Sequence, residues 1–519
     1  CFAIRGDNRY HSVFGGMKAC ATPCSSECPA GTDIPNYMAH YRAGDLEGAA
    51  RILMQANPLP MMTSRVCAHT CQTKCNRCST DEAVAIHSVE RVIGDYIMAH
   101  SDTFYKAPEK ENGKKIALIG AGPAGLSAAY YLRNAGYTVT VYDAMEEAGG
   151  CLMYAIPNFR LPKEYVRAII KAMENMGIRF VQKTKLGENL QISELTKEND
   201  KIFIATGAWK RPVLGFDGEE FTEFGLQFLV DVNRWVNKKE RNHVLVVGGG
   251  NVAMDCCRSA RRIASGKVHV VYRRTRNEAS ADQEEIDAAI DEGVEFHFLT
   301  NPVAINGEEG HVTGVRLTKM ELTVKDARGR RGVRPVEGSE FDLSCATVIA
   351  AIGQKVERDV FSEADGVLLN RWGTISVTPA LATTRPGVFA GGDCATGPTT
   401  LIGGLSQGEK AAYSIDEYLS RGSVGFTPRS RMGEIIRDCK LLEDIEPVTP
   451  VRTAPRQKVP HIAVQDREKN FCEVDLTFTD EQARLEAQRC MRCYRIYAVV
   501  TPRPIPGNYN NKRTVSSVF

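Results

Sequence analysis

The sequence predicts an α/β protein in which two nucleotide-binding domains follow a small α-helical domain. A short apolar strand that runs into a glycine turn and then a helix occurs twice, first at 115–134 and again at 243–263. Ahead of both lie a polar linker, "YKAPEKENGKK", and a cysteine-rich segment with apolar residues at helical spacing. At 519 residues the chain is long enough for about three or four domains.

Composition and charge exclude several classes of protein. The 65 basic and 63 acidic residues give a net charge of +2, and no cationic stripe with interleaved aromatic residues occurs, so no nucleic-acid partner is expected. No apolar run reaches membrane-spanning length, and the N-terminal stretch "CFAIRGDNRYHSVFGG" lacks the apolar centre of a signal peptide. We therefore predict a cytoplasmic chain without membrane insertion.

The cysteines are clustered, which predicts metal or redox chemistry. Seven of the 17 fall between residues 20 and 78, and two more form "RCMRC" near the C-terminus. In a cytoplasmic chain such clusters favour metal binding over disulfides. The runs "CATPCSSECP" and "CAHTCQTKCNRC" resemble the thiolate runs that hold iron–sulfur clusters, in which a proline commonly follows the last cysteine. Zinc, which usually takes C-x2-C pairs, and plain structural thiols are the alternatives.

The first glycine turn, "GAGPAG", has the spacing of a dinucleotide-binding site. Gly120 permits the tight turn, Gly122 lets a pyrophosphate approach the backbone, and Gly125 lets the helix pack against the strand. The N-terminus of that helix faces the phosphate charge. Asp143 ends the next strand, where it is placed to accept a ribose hydroxyl. Strand, turn, helix and acid together predict a Rossmann-like domain.

The second glycine turn, "GGGNVA", predicts a second Rossmann-like domain with its own nucleotide preference. Gly248, Gly250 and Ala253 form the G-x-G-x-x-A variant. The strand that follows ends in "YRRTR", so that Arg273 and Arg274 occupy the place of a ribose-binding carboxylate. Two guanidinium groups there favour the 2′-phosphate of NADP(H) over NAD(H). The alternative is a solvated basic strand end.

A third glycine-rich stretch completes the set of motifs. In "GVFAGGDCATGPTTLIGGLSQGEKAA" a strand reaches Gly392 and Asp393, and a helix starts after "TTLIGG". Asp393 is placed to accept hydrogen bonds from the polyol hydroxyls of a flavin.

Five motifs together resemble the flavin-dependent pyridine-nucleotide oxidoreductases of the glutamate synthase small-subunit type. They are "GAGPAG", "GGCLMYAIPNFRLPK", "ATGAWKRP", "GGGNVAMD" and "GGDC…GGLSQGEKAA". The N-terminal half of dihydropyrimidine dehydrogenase and the large subunit of NADPH-dependent ferredoxin:NAD oxidoreductase are similar. The resemblance implies FAD at the first site, NADP(H) at the second, and two 4Fe-4S clusters in the N-terminal domain. By position it adds further cofactor-binding residues: Gly150, Arg160, Gly207, Asn251 and Thr400.

The resemblance also implies cluster ligands, and here the sequence departs from the family pattern. One cluster would take Cys28, Cys71, Cys75 and Glu90. The other would take Cys20, Cys24 and Cys78. Relatives carry a cysteine pair, "RCxxC", just before the Pro–Cys step, whereas this chain has only "GGMKAC". The fourth ligand of this second cluster is therefore open, and Cys67 is the nearest spare thiol. A cap or ion pair on a helix is the alternative role of Glu90.

The C-terminal pair, Cys490 and Cys493 in "EAQRCMRC", resembles the missing piece displaced to the far end of the chain. One hypothesis is that it folds back to the N-terminal domain. Another is that it binds a further cluster together with cysteines of a neighbouring subunit. A surface thiol pair is the third.

The predicted chemistry is electron transfer. NADPH gives up two electrons as hydride, whereas iron–sulfur clusters take one electron at a time, so an FAD between them converts pair transfer into single transfers. Hydride transfer needs no acid–base or nucleophilic group, and we predict no catalytic residue. We predict a subunit that passes electrons to other redox subunits, with ferredoxin as a candidate, in an electron-bifurcating complex of ferredoxin, NAD and NADP. The small subunit of glutamate synthase and a non-catalytic electron-wiring scaffold are the alternatives.

The motifs divide the chain into five segments. The predicted boundaries are 1–105 for the helical iron–sulfur domain, 106–240 and 345–420 for the two parts of the FAD-binding domain, 241–344 for the NADP(H)-binding domain, and 421–519 for a C-terminal extension that ends in the cysteine pair.

Overall fold

The computed structural model describes residues 22–213, 215–234, 242–308, 311–325, 331–361, 365–422, 453–468 and 470–493. The helices there are α1 (Pro23–Glu27), α2 (Ile34–Arg42), α3 (Leu46–Ala56), α4 (Pro60–Val66), α5 (Thr70–Thr73), α6 (Ile86–Ala99), α7 (Ser101–Phe104), α8 (Pro123–Asn134), α9 (Cys151–Tyr154), α10 (Lys163–Asn175), α11 (Ile192–Glu198), α12 (Gly225–Asn233), α13 (Asn251–Ile263), α14 (Gln283–Asp291), α15 (Asp393–Thr396), α16 (Leu401–Arg421), α17 (Val464–Arg467) and α18 (Asp480–Gln488).

The strands form three sheets. In chain order they are β1 (Lys115–Ile119), β2 (Thr138–Tyr142), β3 (Arg179–Val181), β4 (Lys201–Ile204), β5 (Glu223–Phe224), β6 (Val244–Val247), β7 (Val268–Tyr272), β8 (Glu295–Phe298), β9 (Thr300–Glu308), β10 (His311–Lys325), β11 (Arg331–Pro335), β12 (Phe341–Leu343), β13 (Thr347–Ala350) and β14 (Val388–Ala390).

The N-terminal domain consists of the short helices α1 to α7 around one apolar core. Proline occupies the first turn of α1, α2 and α4, where its missing N–H costs no helical hydrogen bond. The Asp45 carboxylate caps α3 by accepting from the Gly48 N–H at 2.8 Å. Helices α3 and α6 bury apolar faces that include Leu53, Val89 and Ile93, which are fully buried. As predicted, this domain is α-helical.

The first glycine turn belongs to a five-stranded sheet of order β14-β4-β1-β2-β3. All pairs in it are parallel, with β1 between β2 and β4. The strands are nearly continuous apolar runs, because both faces are covered. Helices α8 and α16 pack on one face, and their apolar residues are continuous with the core of the helical domain. The helical domain is therefore seated directly on this nucleotide-binding domain.

The second glycine turn belongs to another five-stranded parallel sheet, of order β5-β13-β6-β7-β8. Helices α12, α13 and α14 pack on one face, and the antiparallel sheet of β9 to β12 packs on the other. The domain boundaries differ from those predicted. Because β5 and β13 pair in this sheet, the second domain extends from Glu223 to Ala350 instead of from residue 241 to 344.

The described part of the C-terminal extension, residues 453–468 and 470–493, lies against the other domains, and we call it the C-terminal strap. It forms ion pairs with the helical domain and with the second nucleotide-binding domain: Arg65 to Glu473 at 2.7 Å and Arg261 to Glu468 at 2.7 Å. Among the described residues, no helix is both long enough and apolar enough to span a membrane.

Candidate functional site

The first glycine turn joins β1 to α8, and its glycines are needed for different reasons. Gly120 has φ +109°, and a Cβ there would overlap the carbonyl oxygen of Ala205, which follows β4. A Cβ on Gly125 would overlap the carbonyl oxygen of Gly120, so this glycine lets α8 approach β1. Gly122 is different, since a Cβ there would meet no atom within 4 Å. Gly122 leaves open space where the turn borders a cavity.

Asp143 follows β2 and faces this turn. Its carboxylate accepts hydrogen bonds from the backbone N–H groups of Ala121 at 2.6 Å and Met145 at 2.8 Å. Burial raises the pKa of this carboxyl above its usual value, and the two N–H donors oppose that shift. Asp143 therefore fixes the backbone of the turn from the position where the sequence predicts a ribose-binding acid.

A cavity of about 620 Å³ lies beyond the carboxyl ends of β1, β2, β4 and β14. Open parallel sheets bind their ligands at this edge, and cofactor sites occupy roughly 300–1,000 Å³. Ten predicted cofactor-binding residues line the cavity: Gly120, Gly122, Asp143, Gly150, Arg160, Gly207, Asn251, Gly392, Asp393 and Thr400. The structure thus brings residues from three separate glycine motifs to one site.

The start of α16 forms another part of the cavity wall. The Asp393 carboxylate accepts from the Thr399 N–H at 3.0 Å, and burial raises the pKa of Asp393 to about 6. The Thr400 hydroxyl caps α16 by accepting from the Gly403 N–H at 3.2 Å. The N-terminus of this 21-residue helix therefore opens onto the cavity, where its dipole favours negative charge.

The second glycine turn joins β6 to α13. Gly248 has φ +150°, and a Cβ there would overlap the carbonyl oxygen of Ala351. Gly250 is the N-cap of α13, and Ala253 is fully buried where the helix packs on the sheet. Asn251, the first residue of α13, lines the cavity. The second turn therefore starts at the margin of the same cavity.

The predicted phosphate-binding arginines follow β7 directly. Arg273 is exposed and Arg274 is half-buried. The Nε atom of Arg274 is buried and has no hydrogen-bond partner among the described residues. A buried donor without a partner is costly, and an anionic group is the strongest acceptor for a guanidinium. This donor is available to an anionic ligand.

Arg160 lies on the cavity wall, but its guanidinium is also an ion-pair partner. Nη1 donates to Asp255 on α13 at 2.8 Å, and Nε lies 3.0 Å from Glu285 on α14. The three side chains are at most 16% exposed. Arg160 therefore connects the first nucleotide-binding domain to the second, a role that its position in the "NFRLPK" motif did not indicate.

Three cysteines and one glutamate meet beside the cavity. We call this group the inner thiol site: Cys28, Cys67, Cys71 and Glu90. Burial is the main reason that the pKa of each thiol is raised, and the charge of Glu90 raises each of them further. Burial also raises the pKa of Glu90, to about 7. Val66 and Ala68, on either side of Cys67 in the chain, line the cavity, so the inner thiol site adjoins it.

Four further cysteines line a separate, small cavity, and we call them the outer thiol site: Cys24, Cys75, Cys490 and Cys493. Burial raises the pKa of Cys24 strongly and that of Cys490 to about 12, and the charges of the other thiols of the set raise both further. The Asn76 side-chain amide donates to the Sγ atom of Cys493 at 3.4 Å. The C-terminal cysteine pair thus packs against the N-terminal domain, beside Cys24 and Cys75.

The ends of two short helices explain how two sites share one run of cysteines. Residues four apart on one helix share a face, but α1 ends between Cys24 and Cys28, and α5 ends between Cys71 and Cys75. Cys28 and Cys75 have extended backbone conformations. One member of each pair faces the inner site and the other faces the outer site.

The grouping implied by the family resemblance therefore needs correction. Cys75 lies with Cys24, not with Cys28 and Cys71, and Cys67 completes the inner site in its place. The physical reason is that the chain leaves α1 before Cys28 and α5 before Cys75, so that the two cysteines of each pair reach neighbouring sites.

Two predicted ligands remain, Cys78 and Cys20. Cys78 is exposed, with its Sγ atom 4.0 Å from the carbonyl oxygen of Gln72. Cys20 lies outside the described residues.

The donor atoms of both sites fit iron–sulfur clusters. None of the cysteines within the described ranges forms a disulfide. The outer site offers four thiols, and the inner site offers three thiols and one carboxylate. Sets of four thiolate ligands suit such clusters, and four thiols also suit zinc. The side chain of Tyr37 is fully buried beside Glu90 and beside thiols of both groups, and its hydroxyl interacts with the Glu90 carboxylate.

Some buried titratable residues near the cavity carry no sequence signal. The Lys163 ammonium donates to the carbonyl oxygens of Leu152, at 2.9 Å, and Ile156, and burial lowers its pKa to about 7. It holds the loop that forms part of the cavity wall. His69 and His87 stack with their ring centroids 3.9 Å apart, and burial lowers the pKa of His69 to about 3. Isolated lysine and histidine residues gave no motif that could have indicated these contacts.

Sequence models of two protein families match this chain. That of the pyridine nucleotide-disulphide oxidoreductases matches residues 114–408. That of dihydropyrimidine dehydrogenase domain II, 4Fe-4S cluster, matches residues 17–102. The first range contains both glycine turns, and the second contains the cysteines of the helical domain. The chain therefore belongs to the pyridine nucleotide-disulphide oxidoreductase family and carries an N-terminal 4Fe-4S domain.

Individual relatives are subunits of redox enzymes. The chain is 38% identical to the beta subunit of the NADP(+)-dependent formate dehydrogenase of Moorella thermoacetica, over 92% of this chain and 71% of that protein. It is 34% identical to the beta subunit of the NADPH-Fe(3+) oxidoreductase of Geobacter sulfurreducens, over 95% and 78%. It is 33% identical to the small chain of the NADPH glutamate synthase of Azospirillum brasilense, over 80% and 90%.

A solved structure shows the same fold. Mycobacterium tuberculosis FprA in complex with NADPH is similar with a TM-score of 0.51 at 20% identity, over 63% of this chain and 89% of that one. The predicted fold class and the resemblance to the glutamate synthase small-subunit type are confirmed. The chain is an FAD-dependent NAD(P)H oxidoreductase subunit with an iron–sulfur domain.

Proposed function

We propose that this chain exchanges hydride with NADP(H) through FAD and passes single electrons through two 4Fe-4S clusters to a partner redox subunit. The observation that supports this most directly is the contact between the cavity and the inner thiol site, made by Val66 and Ala68 around Cys67. When bound, FAD accepts hydride from a nicotinamide and gives up its electrons singly. Cys67, a proposed cluster ligand, lies between two residues that line the pocket.

The cavity wall suits FAD in three respects. Gly122 leaves the backbone open at the start of α8, where a pyrophosphate would lie. Asp143 and Asp393 place acceptors on the wall for ribose and polyol hydroxyls. The start of α16 adds a second helix N-terminus that faces inward.

NADP(H) is supported over NAD(H) by Arg273 and by the unpartnered Nε donor of Arg274. Two relatives that align over 92% and 95% of this chain are named for NADP(+) and NADPH. These observations support the same preference from geometry and from similarity.

Replacement of both arginines tests that preference. We expect Arg273→Ala with Arg274→Ala to raise the KM for NADPH about tenfold or more and to leave the KM for NADH unchanged, because only NADPH carries the 2′-phosphate. Steady-state reduction of a one-electron dye measures both constants. Arg276→Ala is the matched control, since Arg276 pairs with Asp287 at 2.6 Å. Equal changes for NADPH and NADH would contradict the assignment.

Two clusters are supported by two separate groups of four ligands. The inner site contains a carboxylate and the outer site contains thiols only, so the two clusters would differ in potential, which depends on ligand type and burial. The inner site adjoins the flavin cavity, and its cysteine pairs connect it to the outer site. This order supports a one-way path from the cavity through the inner site to the outer site and the partner.

The partner is proposed to be another redox subunit, because two relatives that align over 92% and 95% of this chain are named as beta subunits of redox enzymes. The fuller form of the proposal is an electron-bifurcating complex with ferredoxin, NAD and NADP, which the family resemblance supports. The second candidate is the small subunit of a glutamate synthase. That relative aligns over 80% of this chain against 92% and 95% for the other two, which favours a beta subunit of an NADP(H)-dependent redox enzyme over a glutamate synthase small chain.

Anaerobic titration of the full chain with NADPH tests the function. We expect the bound flavin to lose its visible absorbance and the electron paramagnetic resonance (EPR) signals of reduced clusters to follow. Flavin that keeps its absorbance under NADPH would contradict the proposal and support a scaffold that only connects other subunits.

A further inference from the structure

We propose that the C-terminal strap supplies two of the four ligands of the outer cluster, so that one iron–sulfur cluster binds both ends of the chain. The ligands are Cys24 and Cys75 from the helical domain and Cys490 and Cys493 from the strap. The inference rests on the proposed function in that the outer site holds iron and sulfide. It goes further by giving the strap a part in the metal site, outside the family match at residues 17–102.

The four thiols converge from distant parts of the sequence. They line one small cavity, together with apolar side chains that include Ile34, Met38 and Val84. The Asn76 amide, next to Cys75 in the chain, donates to Cys493 at 3.4 Å. Four thiols in a mostly apolar setting form a ligand set with the number and type of donors that a 4Fe-4S cluster takes.

The strap is held so that its cysteines arrive in a fixed place. Arg489, directly before Cys490, is 3% exposed, and its guanidinium donates to Asp81 at 2.9 Å and to Glu486 at 2.6 Å. In return, the Arg77 guanidinium donates to the carbonyl oxygen of Arg489 at 2.8 Å. These contacts order the backbone on both sides of the last turn of α18.

The backbone between the two cysteines turns sharply. Arg492 has φ +49°, a left-handed conformation that bulky residues adopt only when their surroundings impose it. The turn lets both Cys490 and Cys493 reach the same cavity. It is the kind of local bend that a C-x-x-C pair needs to present two thiols to one metal site.

Other cysteines among the described residues are less suited to these positions. Cys78 is exposed, and Cys472, although on the strap, is also exposed.

Metal analysis of the full-length protein tests the inference. We expect Cys490→Ala with Cys493→Ala, reconstituted anaerobically with iron and sulfide, to hold about half the iron and acid-labile sulfide of the wild type and the same FAD. It should lose one of two reduced-cluster EPR signals. Cys75→Ala should lose the same signal, whereas Cys71→Ala should lose the other. Cys472→Ala is the matched control and should keep both.

The outcomes separate this inference from the proposed function. Full iron and sulfide in the Cys490 and Cys493 variant would overturn the inference and leave the function intact. Zinc without sulfide in the wild type would overturn both. Alkylation of the wild type, read by mass spectrometry, needs no variant: we expect Cys490 and Cys493 to be protected until iron is removed, together with Cys24 and Cys75. Labelling of the strap pair in the fully loaded protein would also overturn the inference.

Discussion

Two glycines of the first glycine motif have different roles: Gly125 is needed for folding, and Gly122 is needed for ligand binding. Gly125 has the carbonyl oxygen of Gly120 where a Cβ would lie, so its small size is a condition for packing α8 on β1. Gly122 has open space there and a φ of −77°, which any residue adopts. Its small size matters only to a ligand in the cavity.

Replacement by alanine should therefore have a different effect at each of the two glycines. We expect Gly122→Ala to fold with wild-type stability and to bind FAD at least about tenfold more weakly, because the methyl group occupies the pyrophosphate position. Gly125→Ala should lose about 1–3 kcal/mol of unfolding free energy through overpacking. Flavin content after gel filtration and denaturant unfolding of the apoprotein measure the two effects. Equal stability losses in both variants would be inconsistent with this division.

At the scale of elements, the Asp81 carboxylate joins several of the contacts between the helical domain and the strap. Asp81 accepts from the Arg77 guanidinium at 2.7 Å, from Arg489 at 2.9 Å and from the Ala454 N–H at 3.0 Å. The Arg77 hydrogen bonds are the main reason that the pKa of Asp81 is held well below its usual value. A short loop of the N-terminal domain thus fixes both ends of the described strap around α18.

Replacement of Asp81 should loosen the strap. We expect Asp81→Asn to lower the unfolding free energy by about 2 kcal/mol, since hydrogen bonds to a charged group are weakened, and to raise hydrogen exchange across α18. Because the pKa of Asp81 is depressed in the folded state, its contribution is present above pH about 4 and is lost as the pH falls further. The variant should therefore differ less from the wild type in acid than at neutral pH.

A matched control distinguishes this effect from a general loss of surface charge. Asp102→Asn removes a carboxylate from the first turn of α7, outside the strap contacts. Unchanged exchange of α18 in Asp81→Asn would show that the strap is held by other contacts, such as that between Arg65 and Glu473.

At the scale of the whole molecule, buried ion pairs set how the two nucleotide-binding domains meet. Arg160 comes from a loop of the first domain, while Asp255 and Glu285 come from two helices of the second. Asp255 also lines the cavity, so this bridge lies where the two nucleotide sites approach each other. The relative position of the domains controls the distance over which hydride must pass.

Removal of the bridge should slow flavin reduction more than it weakens flavin binding. We expect Arg160→Met to reduce flavin with NADPH about tenfold more slowly, because two buried carboxylates lose their partner and the domain contact is displaced. Stopped-flow absorbance measures the rate. Arg167→Met is the control, since Arg167 pairs with Glu147 inside the first domain at 2.6 Å. Equal slowing in both variants would show that loss of the Arg160 ion pairs is not the cause.

Local pattern was enough to predict the two nucleotide-binding domains, because a strand, a glycine turn and a helix form within about 20 neighbouring residues. The same holds for the acids and glycines that the fold brings to one cavity, since their motifs occur at the ends of parallel strands. The extent of the second domain could not be predicted in this way. Its outer strands, β5 and β13, are short and join the sheet through pairing with distant segments.

Motifs of neighbouring residues were thus enough to predict the flavin, nucleotide and metal chemistry. Which cysteines belong to each thiol site depended on long-range packing. Cys24 and Cys28 belong to different sites although only three residues separate them, and no motif states which of them meets Cys490 from the other end of the chain. The Arg160 bridge, likewise, exists only once two domains are in contact. Short-range order follows from the backbone geometry of adjacent residues, but contacts between distant residues arise only when the burial of apolar surface brings their elements together.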